Sequence, residues 1–366
     1  MRATVAARPL VRGLSLTRAA IVLGGGGLLL GMVMLAAVGL GSVAVPPDET
    51  LRVLAHRLLG IGSIQALSPA VETIILEVRL PRVLAAMLVG AGLGCAGTVF
   101  QALLRNPMAD PYIIGTAAGA SFGAITGILL PLLLPALAIG AGSAWLGIGI
   151  VQALAFVGGL AAVLLVLAVA RVGGRIPPVT LLLTGYAVSA VLAAGVALLM
   201  FVSGRALASI FAWLMGSLAS ASWVDLAVAT PVVVVAFALL LVRWRRLNVL
   251  LLGDAPAAHL GIDVEREKLR LTMLATLATS TVVAVAGTIG FVGLVVPHLL
   301  RLAIGPDHRL LLPASLLYGA ALLALADLGA RMAGEIPVGI ITALIGAPFF
   351  IYLLRRSRAV APRVAL

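Results

Sequence analysis

The sequence predicts an all-α polytopic membrane protein of about ten transmembrane helices, and three observations carry that reading. Of 366 residues, 62% are apolar and 10% charged, with a mean hydropathy of +1.21, too few charges to cover a soluble domain of this size. From Pro111 to Ala170 there is no charged residue at all, a stretch long enough for two crossings of about 20 residues each. Basic residues gather at the ends of apolar stretches, mostly on one set of connections, which is the positive-inside pattern.

The elements follow in order. Residues 1–18 form a tail carrying Arg2, Arg8, Arg12 and Arg18 ahead of the apolar run Ala19–Leu40. That run exceeds the roughly 7–15 residues of a signal-peptide core, so it reads as a retained span with a cytoplasmic basic flank. Within a permease domain of 19–354, the spans expected are 19–40, 80–104, 111–134, 146–170, 180–202, 223–242, 269–288, 291–304, 310–330 and 337–354. Pro131, Pro135, Gly140 and Gly142 separate the third from the fourth. The eighth is short for a crossing, which leaves the boundary at Gly287–Gly290 open. Ten spans place both termini, including the tail 355–366, in the cytoplasm with 19 of the 25 Lys and Arg; the other six are Arg52, Arg57, Arg79, Arg82, Arg205 and Arg331. Fusing 269–304 into one bent span would move Arg355, Arg356 and Arg358 outside, against the rule.

Among the outer segments, 41–79 holds Pro46-Pro47-Asp48-Glu49 and then Thr50–Leu59, whose apolar positions recur at helical spacing. Residues 203–222 are apolar but too short and too rich in Gly, Ser and Ala to cross, and suit a re-entrant or interfacial helix at the outer mouth of a pathway. Gly115, Gly119 and Gly123 make one small-residue ridge and Gly90 with Gly94 another, the pattern of closely packed membrane helices. Ala96–Leu103 faintly echoes Ala286–Leu294 in a segment expected to run the opposite way, as an inverted repeat would.

Several functions are excluded. The net charge of +12 does not indicate nucleic acid, because the arginines sit at span ends rather than in one patch. Lys268, the only lysine, precedes Leu269, so no G-x-x-x-x-G-K-[ST] loop exists and ATP cannot be hydrolysed by that route. His56, His259, His298 and His308 lie on separate segments without metal-ligand spacing, Cys95 has no second cysteine to pair with, and no nucleophilic triad is evident. The chain is therefore expected to be no enzyme and to need no metal or cofactor. Asp327 is the sole carboxylate deep in a span, with His298 and Arg301 near another span's end; it reads as a polar contact between helices rather than an ion path. Pathway residues should then be small and apolar.

Against this background stands one polar island, Arg243–Arg270. Gly253 and Gly261 punctuate it, Asp254 and Asp263 are placed to cap helices, and Val249–Leu252 is an apolar run expected to face water and want a protein to cover it. Two short helices on the membrane surface, in touch with a soluble partner, are expected. Arg79 and Arg82 share a helical face at the start of the second span and Arg331 ends the ninth. On the outer side they suit either snorkelling to headgroups or docking of an acidic partner.

Arg79-Leu-Pro-Arg82, the run Gln101–Pro111, Gly115–Ala120, Gly290–Arg301, Gly305-Pro-Asp-His-Arg309, Ala326–Arg331 and Glu335–Phe350 together resemble the FecCD-type permeases, in order and over nearly all of the chain after about residue 75. These are membrane subunits of ATP-binding-cassette importers for ferric siderophores, haem and vitamin B12. The resemblance implies ten spans, a homodimer with a pathway on its two-fold axis, and two cytoplasmic ATPase subunits on the island, at Leu252, Gly253, Asp254, Ala258, Leu260 and Gly261. It implies an extracytoplasmic binding protein docked at Arg79, Arg82 and Arg331, a cytoplasmic gate at Asn106 and Met108, and a pathway lined by Thr184, Ser189, Ala193, Val196 and Met200 of span five. The first 18 residues and 41–75 carry no family motif, and Pro177-Pro178 stiffens the approach to span five. An ion-coupled secondary transporter is the rival reading; scarce buried charge and the large island speak against it.

Overall fold

A computed structural model describes residues 16–41, 45–61, 69–133 and 149–360. Among these residues the regular structure is helical, apart from one β-bridge between Val172 and Arg175. The helices are α1 (Leu16–Gly39), α2 (Pro47–Leu59), α3 (Pro69–Leu103), α4 (Thr116–Leu133), α5 (Ile150–Val169), α6 (Pro178–Val202) and α7 (Leu207–Leu214), then α8 (Trp223–Val242), α9 (Trp244–Leu250), α10 (Asp254–His259), α11 (Val264–Ala286), α12 (Val292–Ile304), α13 (His308–Met332) and α14 (Val338–Val360). Seven of them, α1, α3, α5, α6, α8, α11 and α13, are long and apolar enough to cross a membrane. Shorter apolar helices at Thr116–Leu130, Val292–Ile304 and Val338–Leu353 stand where the third, eighth and tenth spans were expected. The chain is a multi-pass helical membrane protein.

Side-chain bonds to helix ends define the two ends of the bundle. Arg18 at the start of α1 donates to Ala303 O at the end of α12 (3.1 Å), on the end where α9 and α10 lie. At the far end, Arg79 and Arg331 donate to carbonyls that finish α1. The helix expected at Thr50–Leu59 is α2, started by Pro47 and stopped by Gly60 in the left-handed region (φ +67). The short helix expected within 203–222 is α7. Before α8, Ser222 and Asp225 form a reciprocal capping box.

α3 is the centre: 83% of its most apolar stretch is buried, against 6% for α6. Its position follows from glycine. A methyl group at Gly90 would lie 2.2 Å from Gly319 O and one at Gly94 2.4 Å from Ser315 O, so α3 and α13 touch backbone to backbone. The second ridge works likewise, with Gly119 and Gly123 pressed on Gly158 O and Leu154 O of α5. Gly115 is not part of it: at φ +92 it turns the chain into α4. Gly97 meets Gly293 so closely that a methyl there would fall 1.7 Å from its carbonyl oxygen. These two glycines belong to the two echoing segments, which therefore touch.

Several boundaries differ from expectation; the second span, for one, is preceded by helix from Pro69 rather than beginning at 80. The third span begins at Thr116 rather than 111, because 104–115 is a chain of turns; Asp110 Oδ1 accepts from Tyr112 N (2.8 Å), and the Tyr112 hydroxyl donates to Ile289 O (3.1 Å). Val264–Arg270 is not loop but the base of α11, capped by Asp263 through Arg266 N (3.1 Å). The open boundary at 287–290 is a true break, bracketed by Gly287 and Phe291, both at φ +69. α14 continues to Val360, past the expected end at 354. Pro131 is helical within α4, while Pro135, Gly140, Gly142, Arg2, Arg8 and Arg12 lie outside the described residues.

Candidate functional site

The island is two short helices, as expected, but its apolar run is not a water-facing strip. Leu247 and Leu250 enter the core and Val249 and Leu251 pack against it, because a helix sends residues three apart to one side. Only Leu252 of that run is exposed (64%), and it is matched by Leu260 (63%) beyond α10. Ala258 and Gly261 are exposed beside them. The exposed leucines, before and after α10, are the platform of the island.

The platform is held from beneath by charge. Asp254 does not cap α10; it begins the helix after Gly253 (φ +111), accepts from the Lys268 ammonium at 2.6 Å and faces Arg105 of the turn after α3 at 3.4 Å. Glu265 Oε2 accepts from Ile176 N (2.8 Å), which ties the approach to α6 to the base of α11. Glu267, almost wholly buried, is surrounded by Arg246 (2.6 Å), Arg243 (3.7 Å) and Arg270 (3.7 Å). Such buried carboxylates are kept by their partners, since an unpaired charge there would be costly.

Asn248 supplies a link that sequence reasoning missed. From α9 its amide donates to Asp307 Oδ1 (2.8 Å), and its oxygen accepts from His308 N (2.9 Å) at the start of α13. Asp307 is also the N-cap of α13, accepting from Arg309 N. Partial burial opposes ionisation of Asp307, but the donations from Asn248 and Arg309 outweigh it and hold the carboxyl below the usual range. An aspartate just before an apolar helical run is a readable cap signal; its bond to Asn248 is not readable. The guanidinium groups of Arg245 and Arg309 each lie over the Trp244 ring, 5.2 Å from its centre.

Asn106 and Met108 sit in a tight turn. Arg105 adopts φ +49, Asn106 N bonds back to Gln101 O (3.1 Å), and Asn106 Oδ1 accepts from Met108 N (3.0 Å). This side-chain mimic of a turn fixes the local backbone. Gln101 donates to Leu294 O and accepts from Arg301 (2.9 Å), so the end of α3 is bonded to α12 beside that turn.

α6 is the least covered of the long helices. Its open side carries Leu183, Tyr186, Ala190, Ala193, Ala197 and Phe201. Of the five residues expected to line a path, Ala193 lies on that side. Thr184 and Ser189 are half-buried, with Ser189 Oγ near Gly115, while Val196 and Met200 pack on a cluster containing Ile125, Leu129 and Ile210.

At the far end the three expected arginines converge, but they are buried. Asp327, fully buried in α13, lies 3.0 Å from Arg82 and 3.1 Å from Arg331; Arg82 also reaches Glu335 at 2.6 Å. Arg79, in a π-helical stretch Ile74–Arg79 of α3, donates to Val38 O and Gly39 O. Arg331 donates to Ala37 O and Leu40 O. Asp327 is thus a helix-to-helix contact, with partners other than His298 and Arg301. The role of Glu335 is not legible in the sequence, because its partner Arg82 lies 253 positions away.

The comparisons with known proteins bear on the chain as a whole. The FecCD transport family model matches residues 28–356. The cobalamin import system permease protein BtuC of Halobacterium salinarum is 48% identical over 285 residues, 78% of this chain and 74% of that protein. The hemin transport system permease protein HmuU of Yersinia pestis is 42% identical, covering 77% of this chain and 83% of its own. The Fe(3+) dicitrate transport system permease protein FecD of Escherichia coli is 40% identical, covering 78% and 86%. A solved metal-chelate type ABC transporter in an inward-facing conformation superposes with a TM-score of 0.76 at 31% identity, over 92% of this chain and 99% of that one. The protein is a transport permease and not an enzyme, and it belongs to the FecCD transport family.

Proposed function

We propose that the chain is the ten-span permease subunit of an ATP-binding-cassette importer, a homodimer that carries a metal chelate (a ferric siderophore, cobalamin or haem) across the cytoplasmic membrane. The observation that carries this reading is the platform of Leu252 and Leu260: two largely exposed leucines on an island otherwise pinned by partly buried ion pairs. Exposed apolar groups on a rigid polar base are what a partner surface needs. The names of the similar permeases support the cargo class.

In this reading the ten spans are α1, α3, α4, α5, α6, α8, α11, α12, α13 and α14. The island end, rich in arginine, is cytoplasmic, and so are both termini. Two ATPase subunits sit on Leu252, Gly253, Asp254, Ala258, Leu260 and Gly261. Two copies of the chain meet around the open side of α6, giving an apolar path that does not hold its cargo. Asn106 and Met108 form the cytoplasmic gate, next to Arg105 and therefore to Asp254. ATP binding draws the ATPases together, the island follows, and the turn after α3 moves with it. This coupling requires that island contacts differ between the two ATPase states. An extracytoplasmic binding protein presents carboxylates to Arg79, Arg82 and Arg331.

The test is uptake. The binding protein encoded with this chain is titrated with ferric siderophores, cobalamin and haem, and the tight binder is supplied to proteoliposomes holding the permease and its ATPase. ATP-dependent accumulation of one chelate is the expected result. Accumulation driven by an ion gradient without the ATPase would replace the importer with a secondary carrier.

A further inference from the structure

We propose that Glu335 is a built-in competitor for the far-end arginine cluster: its carboxylate occupies Arg82 in the undocked protein and yields that place to a carboxylate of the incoming binding protein. This deepens, and rests on, the docking reading above.

The geometry separates two kinds of partner around Arg82. Its Nε faces Asp327, whose side chain is 1% exposed; its Nη1 faces Glu335, whose side chain is 42% exposed. One partner is sealed in the bundle and the other opens to the surface. A guanidinium presents its donors in a fixed fork, so the outer donor can change partner while the inner one stays on Asp327. Exchange of one carboxylate for another leaves no charge stranded. By contrast, docking that displaced Asp327 would leave buried cations uncompensated, which is costly.

The backbone around Glu335 suits release. Gly334 and Glu335 are both in the left-handed region, at φ +98 and +60, which side chains other than glycine rarely adopt. Both of their amides point at one acceptor, Arg331 O, at a long 3.4 Å. The Arg82 contact at 2.6 Å is therefore the short, strong tie of this turn. Arg82 and Arg331 share Asp327, and Glu335 adds a second carboxylate on Arg82 alone, one that stands where an acidic partner would have to bind. Glu335 weakens the attraction for that partner and sets the strength and the salt dependence of docking.

The experiment measures docking of the binding protein to the intact permease–ATPase complex in nanodiscs over a range of salt, for the wild type, Glu335→Gln and Arg82→Ala. Glu335→Gln is expected to tighten docking roughly three- to tenfold and to steepen its salt dependence, while Arg82→Ala weakens it at least about tenfold. Glu335→Gly, which removes the same charge and relieves the left-handed backbone, is expected to act in the same direction and serves if the glutamine variant melts early. Unchanged or weaker docking in the Glu335 variants, with Arg82→Ala weakened, would overturn the competitor and leave the docking reading intact. No effect of Arg82→Ala would overturn the docking reading itself, and the competitor with it.

Discussion

Lys268 Nζ lies 2.6 Å from Asp254 Oδ2, so the first residue of α10 is tied to the base of α11 through the only lysine in the chain. The same carboxylate faces Arg105, one residue from Asn106 in the proposed gate. Reversing that charge with Asp254→Lys should break both ties at once. In proteoliposomes the complex is expected to keep hydrolysing ATP while uptake falls by about tenfold or more, a loss of about 1.4 kcal/mol in coupling. Normal uptake by a fully assembled complex would refute the role. Gly253→Trp is the blunter variant: at φ +111 any side chain is strained, so assembly should fail together with coupling.

Leu252→Asp and Leu260→Asp test the platform. Both leucines are exposed in the single chain, so its own melting temperature should hardly change. Each leucine covered by a partner contributes about 1.5–3 kcal/mol, so copurification of the ATPase should fall sharply. Retention of full ATPase occupancy would place the interface elsewhere.

The extent to which the sequence revealed this protein depends on what kind of interaction each feature needs. The span cores and the Gly90–Gly94 ridge were legible because a bilayer allows few solutions and close backbones require small residues. The third-span boundary was not, because it depends on Tyr112 reaching Ile289, a contact 177 residues apart. The island's two helices were legible from their punctuation, whereas the burial of Leu250 required a surface to pack against. Arg79, Arg82 and Arg331 are legible as a group and Asp327 as a helix-to-helix contact, but not that Asp327 joins Arg82 to Arg331. Partners chosen across helices leave no periodic trace in the chain.

Asp327→Ala tests the buried centre of that cluster. Removing it leaves the guanidinium groups of Arg82 and Arg331 without their shared buried anion, at a cost of about 3–5 kcal/mol. The melting temperature of the purified protein should drop accordingly, well beyond the effect of removing the surface pair partner Asp48. An equal, small effect of both would show that the cluster is not a structural tie.

Gly97→Val should be among the most damaging single changes in the bundle, since even a methyl group would overlap Gly293 O. Overpacking of this kind costs about 1–3 kcal/mol or more. Gly27→Ala, where an added Cβ meets nothing within 4 Å, is the control and should leave expression and melting nearly unchanged. Similar outcomes at both positions would refute the contact.

Asp307 gives a pH signature. Its carboxyl titrates lower in the folded protein than in the unfolded chain, so its stabilisation is present above the unfolded value of about 3.9 and is lost as pH falls through the lower folded value. Asp307→Asn keeps a capping oxygen but not the charge. Wild-type melting should therefore lose a component below about pH 4 that the variant lacks. Identical slopes in the two proteins would remove the assignment.

The uncovered side of α6 also bears on how the protein is made. A newly inserted copy would rest that side against acyl chains; in the proposed homodimer the same atoms would meet water and passing cargo. Strongly oily side chains would suit only the first environment and charged ones only the second. Ala187, Ala190, Ala193, Ala194 and Ala197, all exposed, suit both, because a methyl group gains little from lipid and loses little to water, while Leu183, Val191, Leu198 and Phe201 beside them favour the first. In the proposed homodimer, helix insertion and subunit pairing would then be separate stages, the unpaired chain resting its mixed side in lipid until its partner arrives.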